Sequence, residues 1–335
     1  TQFGKLIYAY KTWGSREEVE AKGVPELTRL YVKFHEEAEQ HPELEDEGRR
    51  WFKAIEDGNA EALELFNWFK ELTLRDAKPV YDLLGVQFDS YNGESFYVDK
   101  TDRVVEELRE KNLLTISDGA SVVDLDEEKS GMPPCLILKK DGTTIYATRD
   151  IAAALYRKET YDFDKCLYVV AYQQDLHFRQ WFKVIEKMGY PWYKDLVHVA
   201  FGMISYEGQS LSTRKGHVLF LEDVLNMAIE KARAIIEEKS PNLENKDEVA
   251  RQVGVGAVVY ADLQNSRIKD IDFSWERVLS FDGETGPYVQ YTHARCCSAL
   301  RKAEGLEPAE PDYSALSDDY AQELLRQLSR FPETV

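Results

Sequence analysis

Apolar residues repeat at intervals of three and four in the first part of the chain. In residues 15–75 this repeat lies among many charged side chains, a pattern typical of helices with one face in a core and one in solvent. The repeating residues are Leu27, Leu30, Tyr31 and Phe34, followed by Leu65, Trp68, Phe69 and Leu72. The spacing predicts helices of an accessory domain, with the aromatic residues in its core. Over 80–130 the pattern mixes β-like runs such as Ser95–Val98 with a helix predicted near Asp102–Lys111.

From Met132 onward, short unbroken apolar runs alternate with helical segments. Strands are predicted over Cys135–Leu138, Thr143–Ala147, Cys166–Ala171 and Val197–Ile204, and helices over Asp150–Lys158, Leu176–Met188 and Leu221–Lys239. The first two strands would form a hairpin. Unbroken apolar strands that alternate with helices favour a parallel sheet covered on both faces. After Asp247 the pattern is helical. The expected fold is therefore α/β, with a doubly wound parallel sheet, an inserted acidic α-rich domain and an all-α C-terminal region.

The net charge of −19 for 335 residues argues at first against a nucleic-acid partner, because phosphates are bound by clustered Lys and Arg. The acidic residues are concentrated in one region. Residues 17–128 have 30 acidic and 13 basic side chains, whereas residues 129–303 have 23 and 24. The acidity therefore describes the inserted domain, and a nucleic-acid partner for the rest of the chain stays open.

Other compositional features limit the class of protein. No apolar run approaches the roughly 18 to 20 residues needed to span a bilayer, and the first residues do not resemble a secretory signal. The sequence predicts a soluble, cytoplasmic protein without a membrane partner. Its four cysteines lack C-x-x-C spacing, which favours buried free thiols and no metal site.

Ligands of a doubly wound sheet bind beyond the carboxyl ends of its strands, and a first polar segment, Tyr146–Asp150, is predicted there. Asp150 would lie in the first turn of a helix. Two interpretations stay open: Asp150 or Thr148 caps that helix, or Asp150 pairs with a cationic ligand beside the Tyr146 ring.

Two further polar segments follow later strands. Ala171–His177 brings amides, the Asp175 carboxylate and an imidazole into a strand-to-helix turn. These groups either bind a polar ligand, or they are structural, with Asp175 as the N-cap of the helix that follows. Gln209–Gly216 combines hydroxyls and two cations, which suits polyphosphate but is also common in surface loops. No Walker A, G-x-G-x-x-G, H-E-x-x-H or nucleophile-elbow sequence occurs in the chain.

The order of these segments resembles one family. TQFGKL at the start, YATRDIAA from Tyr146, YVVAYQQDLHFRQ from Tyr168, GMISYEGQSLSTRKG from Gly202 and GETGPYVQYTHAR from Gly283 follow one another as in arginyl-tRNA synthetases, which are class I enzymes. The resemblance runs over nearly the whole chain. It implies that arginine and ATP, with Mg²⁺, give arginyl-adenylate, and that the arginyl group then passes to tRNA(Arg).

The resemblance also implies roles for individual residues. Tyr146, Asp150 and Gln174 would line the arginine pocket, with Asp150 facing the guanidinium, and His177 would be a possible further contact. Met203 would lie against the adenine. Residues Ser210–Arg214 occupy the position of the family's KMSKS signature, and the ATP contacts expected there are Ser212, Thr213, Arg214, Lys215 and Gly216. Two signature lysines are replaced by Ser210 and Thr213, and we expect Arg214 and Lys215 to take their place.

A larger departure is that H-x-G-H, which precedes TQFG in the family, is absent from these 335 residues. The resemblance then implies an internal fragment with an incomplete Rossmann-like sheet, which we expect to be inactive alone and monomeric. The expected division is 1–16 and 132–221 as parts of the Rossmann domain and 17–131 as the acidic insertion. Residues 222–286 would form the helical stem-contact region, and 287–335 the start of the anticodon-binding domain.

Two alternatives stay open. Another class I synthetase, such as one for cysteine or glutamine, would share the fold but would not need a carboxylate at Asp150. A non-catalytic tRNA-binding fragment would explain the missing H-x-G-H without any enzyme activity.

Overall fold

The chain divides into two compact units, between Pro287 and Tyr288. A computed structural model describes residues 2–126, 131–206, 208–210, 219–278, 280, 283–305, 310 and 312–334.

Five helices at the start of the first unit enclose an aromatic-rich core. They are α1 (Gln2–Trp13), α2 (Arg16–Lys22), α3 (Val24–Gln40), α4 (Leu44–Glu56) and α5 (Ala60–Leu84). The predicted helices are confirmed. Most residues of the apolar repeat are buried in this core, and Leu65 and Trp68 pack at its edge. Helix α1 adds Leu6, Ile7 and Ala9, so the first residues share a core with the acidic helices.

The predicted β-like run Ser95–Val98 is wrong, because Glu94–Lys100 forms a 3₁₀ helix. Neighbouring aromatic rings there, Phe96 and Tyr97, both pack against Tyr156, at centroid distances of 5.2 and 5.8 Å. A strand would point successive side chains to opposite faces. The helix predicted next is confirmed as α6 (Thr101–Glu110).

An antiparallel sheet follows, in the order β1 (Leu114–Ser117), β2 (Ala120–Val123), β3 (Cys135–Leu138). The hairpin predicted for β3 is wrong: the segment 143–147 makes a single bridge, Leu138 to Thr144. Strand β2 pairs with the other edge of β3. The chain then enters helix α7 (Tyr146–Tyr161), four residues earlier than predicted.

The expected parallel strand pair is present. Strand β4 (Cys166–Ala171), helix α8 (Asp175–Lys187) and strand β5 (Leu196–Phe201) form a β–α–β unit, with β4 parallel to β5 over six residues. Helices α7 and α8 share one core with these strands, which includes Ile151, Trp181 and Ile185. Within the described residues the sheets have two or three strands each, so they do not form one continuous doubly wound sheet.

A third sheet has the order β7 (Gln209–Ser210), β6 (Ile204–Tyr206), β8 (Ile271–Phe273). Strand β8 is parallel to β6, and β7 is antiparallel to it. The single strand predicted over Val197–Ile204 is therefore two strands, interrupted at Gly202 and Met203. Helices α9 (Leu221–Lys239), α10 (Lys246–Leu263) and α11 (Trp275–Val278) complete this part. The bounds of α9 are those predicted from sequence.

The last residues are helical, as the sequence pattern predicts. Helix α12 (Gly286–Ala303) begins before the division between the units, and the second unit ends in α13 (Asp319–Thr334). Among the described residues, no helix is long and apolar enough to cross a membrane.

Candidate active site

The site lies at the carboxyl ends of β4 and β5. Because these strands are parallel and in register from Cys166–Leu196 to Ala171–Phe201, their ends reach the same edge of the sheet. This is the edge at which open α/β sheets bind ligands. The segment after β4 contains Gln174 and His177, and the segment after β5 contains Gly202 and Met203.

Helix α7 brings Tyr146 and Asp150 to this region. Ile145 is its N-cap residue, and no side chain caps the helix. Thr148 is fully buried and donates a 2.6 Å hydrogen bond to the Ile137 carbonyl oxygen, which fixes the start of α7 against β3. The helix-cap interpretation of Asp150 and Thr148 is therefore wrong. Asp150 is the fifth residue of α7, so its carboxylate is available for another partner.

That partner is His177, from helix α8. The Nε2 atom of His177 lies 2.6 Å from Oδ2 of Asp150. Since an ionised carboxylate can only accept, the imidazole donates this bond. The ring of Tyr146 meets the His177 ring edge-on at a centroid distance of 4.8 Å. The Asp150 side chain is 37% exposed and that of His177 is 14% exposed. Three predicted site residues thus form one cluster with a carboxylate open to solvent.

Arg149 connects this cluster to the acidic helices. Its guanidinium lies 2.8 Å from Glu56 at the end of α4 and 2.7 Å from Glu94 in the 3₁₀ helix. The Arg149 side chain is largely buried, at 11% exposed. The sequence pattern does not mark Arg149 as a site residue, because both of its partners are more than 50 residues away.

Gln174 is exposed at the end of a short 3₁₀ turn, one residue before α8 begins. Asp175, considered as a helix cap, is instead the first residue of α8. Its carboxylate lies 3.7 Å from Nδ1 of the buried His198 in β5. His198 stacks on Phe178 with ring centroids 4.3 Å apart, so aromatic packing joins the start of α8 to β5.

Met203 lies where the chain turns from β5 into β6, with its side chain 40% exposed. Gly202 permits this turn, because its backbone passes so close to residue 269 that a Cβ atom would lie 2.1 Å from the Lys269 carbonyl oxygen. The Met203 N–H donates a 2.7 Å bond to Asp270. Asp270 belongs to none of the sequence motifs, and its role depends on a contact across 67 residues.

The remaining candidates, Ser212, Thr213, Arg214, Lys215 and Gly216, lie outside the described residues. All four cysteines are free, as expected, but they are not all buried: Cys296 is exposed. Cys135, the first residue of β3, is buried in the core. Burial raises the pKa of its thiol to about 12, so the thiol stays protonated at neutral pH. Among the described residues there is no group of three or more His, Cys, Asp or Glu side chains that could hold a metal ion.

The fold and the position of the site define a class: the catalytic domain of a class I aminoacyl-tRNA synthetase. The family described as "tRNA synthetases class I (R), catalytic domain" matches residues 1–275. The DALR anticodon binding domain family matches residues 289–335. Within that class, the chain belongs to the arginyl-tRNA synthetase family, which removes the alternative of a synthetase for another amino acid.

Similar proteins agree with this assignment. The chain is 62% identical over all its residues to an arginine–tRNA ligase of Clostridioides difficile and 56% identical to one of Alkaliphilus metalliredigens. It spans 59% of the length of each. The arginyl-tRNA synthetase structure of Thermus thermophilus matches with a TM-score of 0.80 at 25% identity, covering 98% of this chain and 60% of that one. That of Plasmodium falciparum has the same fold, with a TM-score of 0.74 at 24% identity, covering 99% and 56%.

Proposed function

We propose that the protein containing this chain is an arginine–tRNA ligase. It uses ATP to convert L-arginine into arginyl-adenylate with release of pyrophosphate, and then transfers the arginyl group to tRNA(Arg). Membership of the arginyl family and 62% identity to a ligase of that name support the proposal.

The arginine pocket is proposed at Asp150, and the geometry of this carboxylate is the observation on which the proposal depends. His177 holds Oδ2 of Asp150 through one hydrogen bond. Each carboxylate oxygen has two acceptor positions, so both oxygens can still accept from a planar guanidinium. Tyr146 forms a wall beside the pair, and the exposed Gln174 offers an amide for the polar end of the substrate. A neutral analogue of arginine would leave Asp150 without a cationic partner, which gives strong discrimination.

The ATP site is proposed on the β5 side. The Met203 N–H and carbonyl are both occupied, by Asp270 and by the Ile271 N–H at 2.8 Å. Met203 would therefore contact adenine through its thioether side chain, which suits the face of an aromatic ring. Ser212, Thr213, Arg214, Lys215 and Gly216 are proposed to bind the phosphates, and Mg²⁺ would arrive with ATP as part of that substrate.

The domain assignment also stays a proposal. Residues 132–221 would hold the catalytic sheet, 17–131 the acidic insertion, 222–286 the stem-contact region and 287–335 the start of the anticodon-binding domain. We infer that the part matched by the DALR family binds tRNA. Residues 1–16 are assigned to the Rossmann domain, although α1 packs against the acidic helices. The enzyme is proposed to be cytoplasmic and monomeric.

Arginine-dependent exchange of pyrophosphate into ATP, measured with tRNA present and on the complete enzyme, tests the function. Replacing Asp150 by Ala should raise the KM for arginine by about 100-fold, because truncating one partner of a desolvated charge pair costs at least about 2–5 kcal/mol. The KM for ATP should change by less than about 3-fold. The matched control is Asp195→Ala, because Asp195 lies at the opposite end of β5 from the site. Equal losses for both substrates would reject Asp150 as the guanidinium partner.

A non-catalytic tRNA-binding role for the chain by itself is the second candidate, and the match of residues 289–335 to the DALR anticodon binding domain family supports it. We expect the 335-residue chain alone to give no arginine-dependent exchange with added tRNA. Robust exchange from that chain would show that H-x-G-H is not required.

A further inference from the structure

Two aspartates alternate along the segment that forms β8. Asp270 immediately precedes the strand and Asp272 is its middle residue. Strand β8 pairs with β6 in the register Ile204–Ile271, Ser205–Asp272 and Tyr206–Phe273. Both carboxylates therefore lie beside the hairpin of β6 and β7, far along the chain from every motif that suggested the active site.

Asp270 connects the ends of β4 and β5. Its Oδ1 atom accepts the Met203 N–H at 2.7 Å, and Oδ2 lies 3.5 Å from the Tyr172 hydroxyl. The first bond has the short length of a charge-assisted hydrogen bond. The second is long and weak. Asp270 thus fixes the main chain of Met203 chiefly through one strong bond, with Tyr172 as a lesser contact.

Asp272 holds the other end of the hairpin. Its Oδ1 atom accepts the Ser205 hydroxyl at 2.7 Å and the Gly208 N–H at 3.0 Å. The bond from the Gly208 N–H, followed by that from Ser205, lowers the pKa of Asp272, so the carboxylate is ionised at neutral pH. Gly208 has φ of +72° in the turn between β6 and β7.

We propose that Asp270 and Asp272 are positioning residues for ATP. Asp270 fixes the main chain from which the Met203 side chain extends, and Asp272 fixes the pairing of β6 with β8 and the Gly208 turn beside it. Neither touches substrate in this proposal, which rests on the proposed function of the same site. Because both aspartates lie beside the Met203 end of the site, their loss should affect ATP more than arginine.

The test is steady-state pyrophosphate exchange by the complete enzyme, with the KM measured separately for each substrate. Asp270→Ala should raise the KM for ATP by about 10-fold, the effect of losing one hydrogen bond to a charged group. The KM for arginine should stay within about 2-fold of the parent value, since Asp150 lies on helix α7 whereas Asp270 binds the main chain of Met203 after β5. Asp270→Asn should restore most of the ATP affinity, because its amide oxygen can accept the same N–H. A merely structural role would lower the amount of active enzyme without separating the two KM values.

Asp272→Ala should likewise raise the KM for ATP, and Asp272→Asn should restore it. The control is Asp247→Ala on α10, because the Asp247 side chain is 83% exposed and its ion pair with Arg233 lies outside the hairpin. Amide hydrogen exchange gives a readout that does not need activity. Exchange should become faster at Met203 in Asp270→Ala and at Gly208 in Asp272→Ala, and should be unchanged at both positions in the control.

The outcomes separate this inference from the proposed function. A parent enzyme without arginine-dependent exchange would reject the function itself. An active parent, together with Asp270→Ala and Asp272→Ala variants whose ATP KM stays within about 2-fold, would overturn the positioning role. Should Asp270→Ala fail to fold, Asp270→Ser has the same expectation, because its short hydroxyl does not reach the Met203 N–H.

Discussion

The helices α2–α5 and the edge of β4 and β5 use charged residues in opposite ways. In the helices, most ion pairs join residues three or four positions apart on one exposed face, such as Arg49 with Asp46. At the sheet edge, the polar contacts of Asp150 and Asp270 join residues that are distant along the chain. Asp150 meets His177 across 27 residues, and Asp270 meets Met203 across 67.

This difference indicates what each region's charges do. Local pairs on a solvated helix face contribute little to stability, so the helical region depends on its apolar core. Long-range polar contacts cannot form until the chain has folded, and they fix side chains in relative position. We therefore expect substitutions in the helices to change stability, and substitutions at the sheet edge to change substrate use.

The largest expected effect on stability is in the helical core. Phe34 is fully buried in α3, and Phe34→Ala should lower the free energy of unfolding by about 3–5 kcal/mol through lost burial and a cavity. Urea denaturation measures the change. Phe88→Ala, at a ring that is 50% exposed, is the matched control and should have a much smaller effect. The KM for arginine of the folded variant should match that of the parent, and a large rise would contradict the separation of the two regions.

A smaller effect is expected where the regions are joined. Arg149→Met removes the ion pairs with Glu56 and Glu94 but keeps an apolar side chain, and should cost about 1–2 kcal/mol of stability because Arg149 is largely buried. The same variant should raise the KM for arginine by a few-fold, since Arg149 adjoins Asp150. A double-mutant cycle with Glu56→Gln measures the coupling. Additive effects of the two substitutions would show that this pair does not link the regions.

Glu26 is the exception among the helical charges, because its side chain is 2% exposed. Hydrogen bonds from Arg29, at 2.6 and 3.0 Å, lower the pKa of Glu26 below its ordinary value of 4.5. A lowered pKa stabilises the fold above pH 4.5, and this stabilisation is lost as the pH falls through the lowered value. Glu26→Gln should therefore cost about 1 kcal/mol at pH 7, and the difference from the parent should shrink below pH 4.5. Glu17→Gln on exposed α2 is the control, and a pH-independent difference would contradict this account.

The smallest effect is expected at an exposed pair. Lys78 and Asp82 lie 2.8 Å apart in α5, with side chains 70% and 62% exposed. Water and salt screen such a pair, so Lys78→Met should leave the urea midpoint unchanged within error. A clear loss of stability there would show that local charges support the helices more than their exposure indicates.

Regular periodicity made much of the fold predictable. The apolar repeat identified the helical core, and the unbroken run Cys166–Ala171 identified a parallel strand. The hairpin after β3 failed because the chain enters helix α7 at Tyr146, which leaves only Thr144 to pair with Leu138. The run Ser95–Val98 failed because its aromatic rings pack against Tyr156, a partner that local propensity cannot reveal.

The candidate site was predictable to a similar extent. Tyr146, Asp150 and His177 stood out because polar residues follow apolar runs, and the structure brings the three together, although the strand predicted before Asp150 does not form. Asp270 and Arg149 were missed, since each acts through partners more than 50 residues away. Asp270 lies in no motif, and the motif that contains Arg149 does not reveal Glu56 or Glu94 as its partners. Hydrogen-bond complementarity between distant segments is a tertiary property, and one sequence does not display it.

Gly202 has a practical consequence for reading genetic variation. Its missing side chain is what lets residues 202 and 269 come together, with a 2.8 Å bond from the Gly202 N–H to the Arg267 carbonyl oxygen. A missense change to alanine is usually scored as mild. Here one added methyl group would push residues 202 and 269 apart beside Met203, and a coding variant at a residue with no proposed substrate contact would behave as a loss-of-function allele.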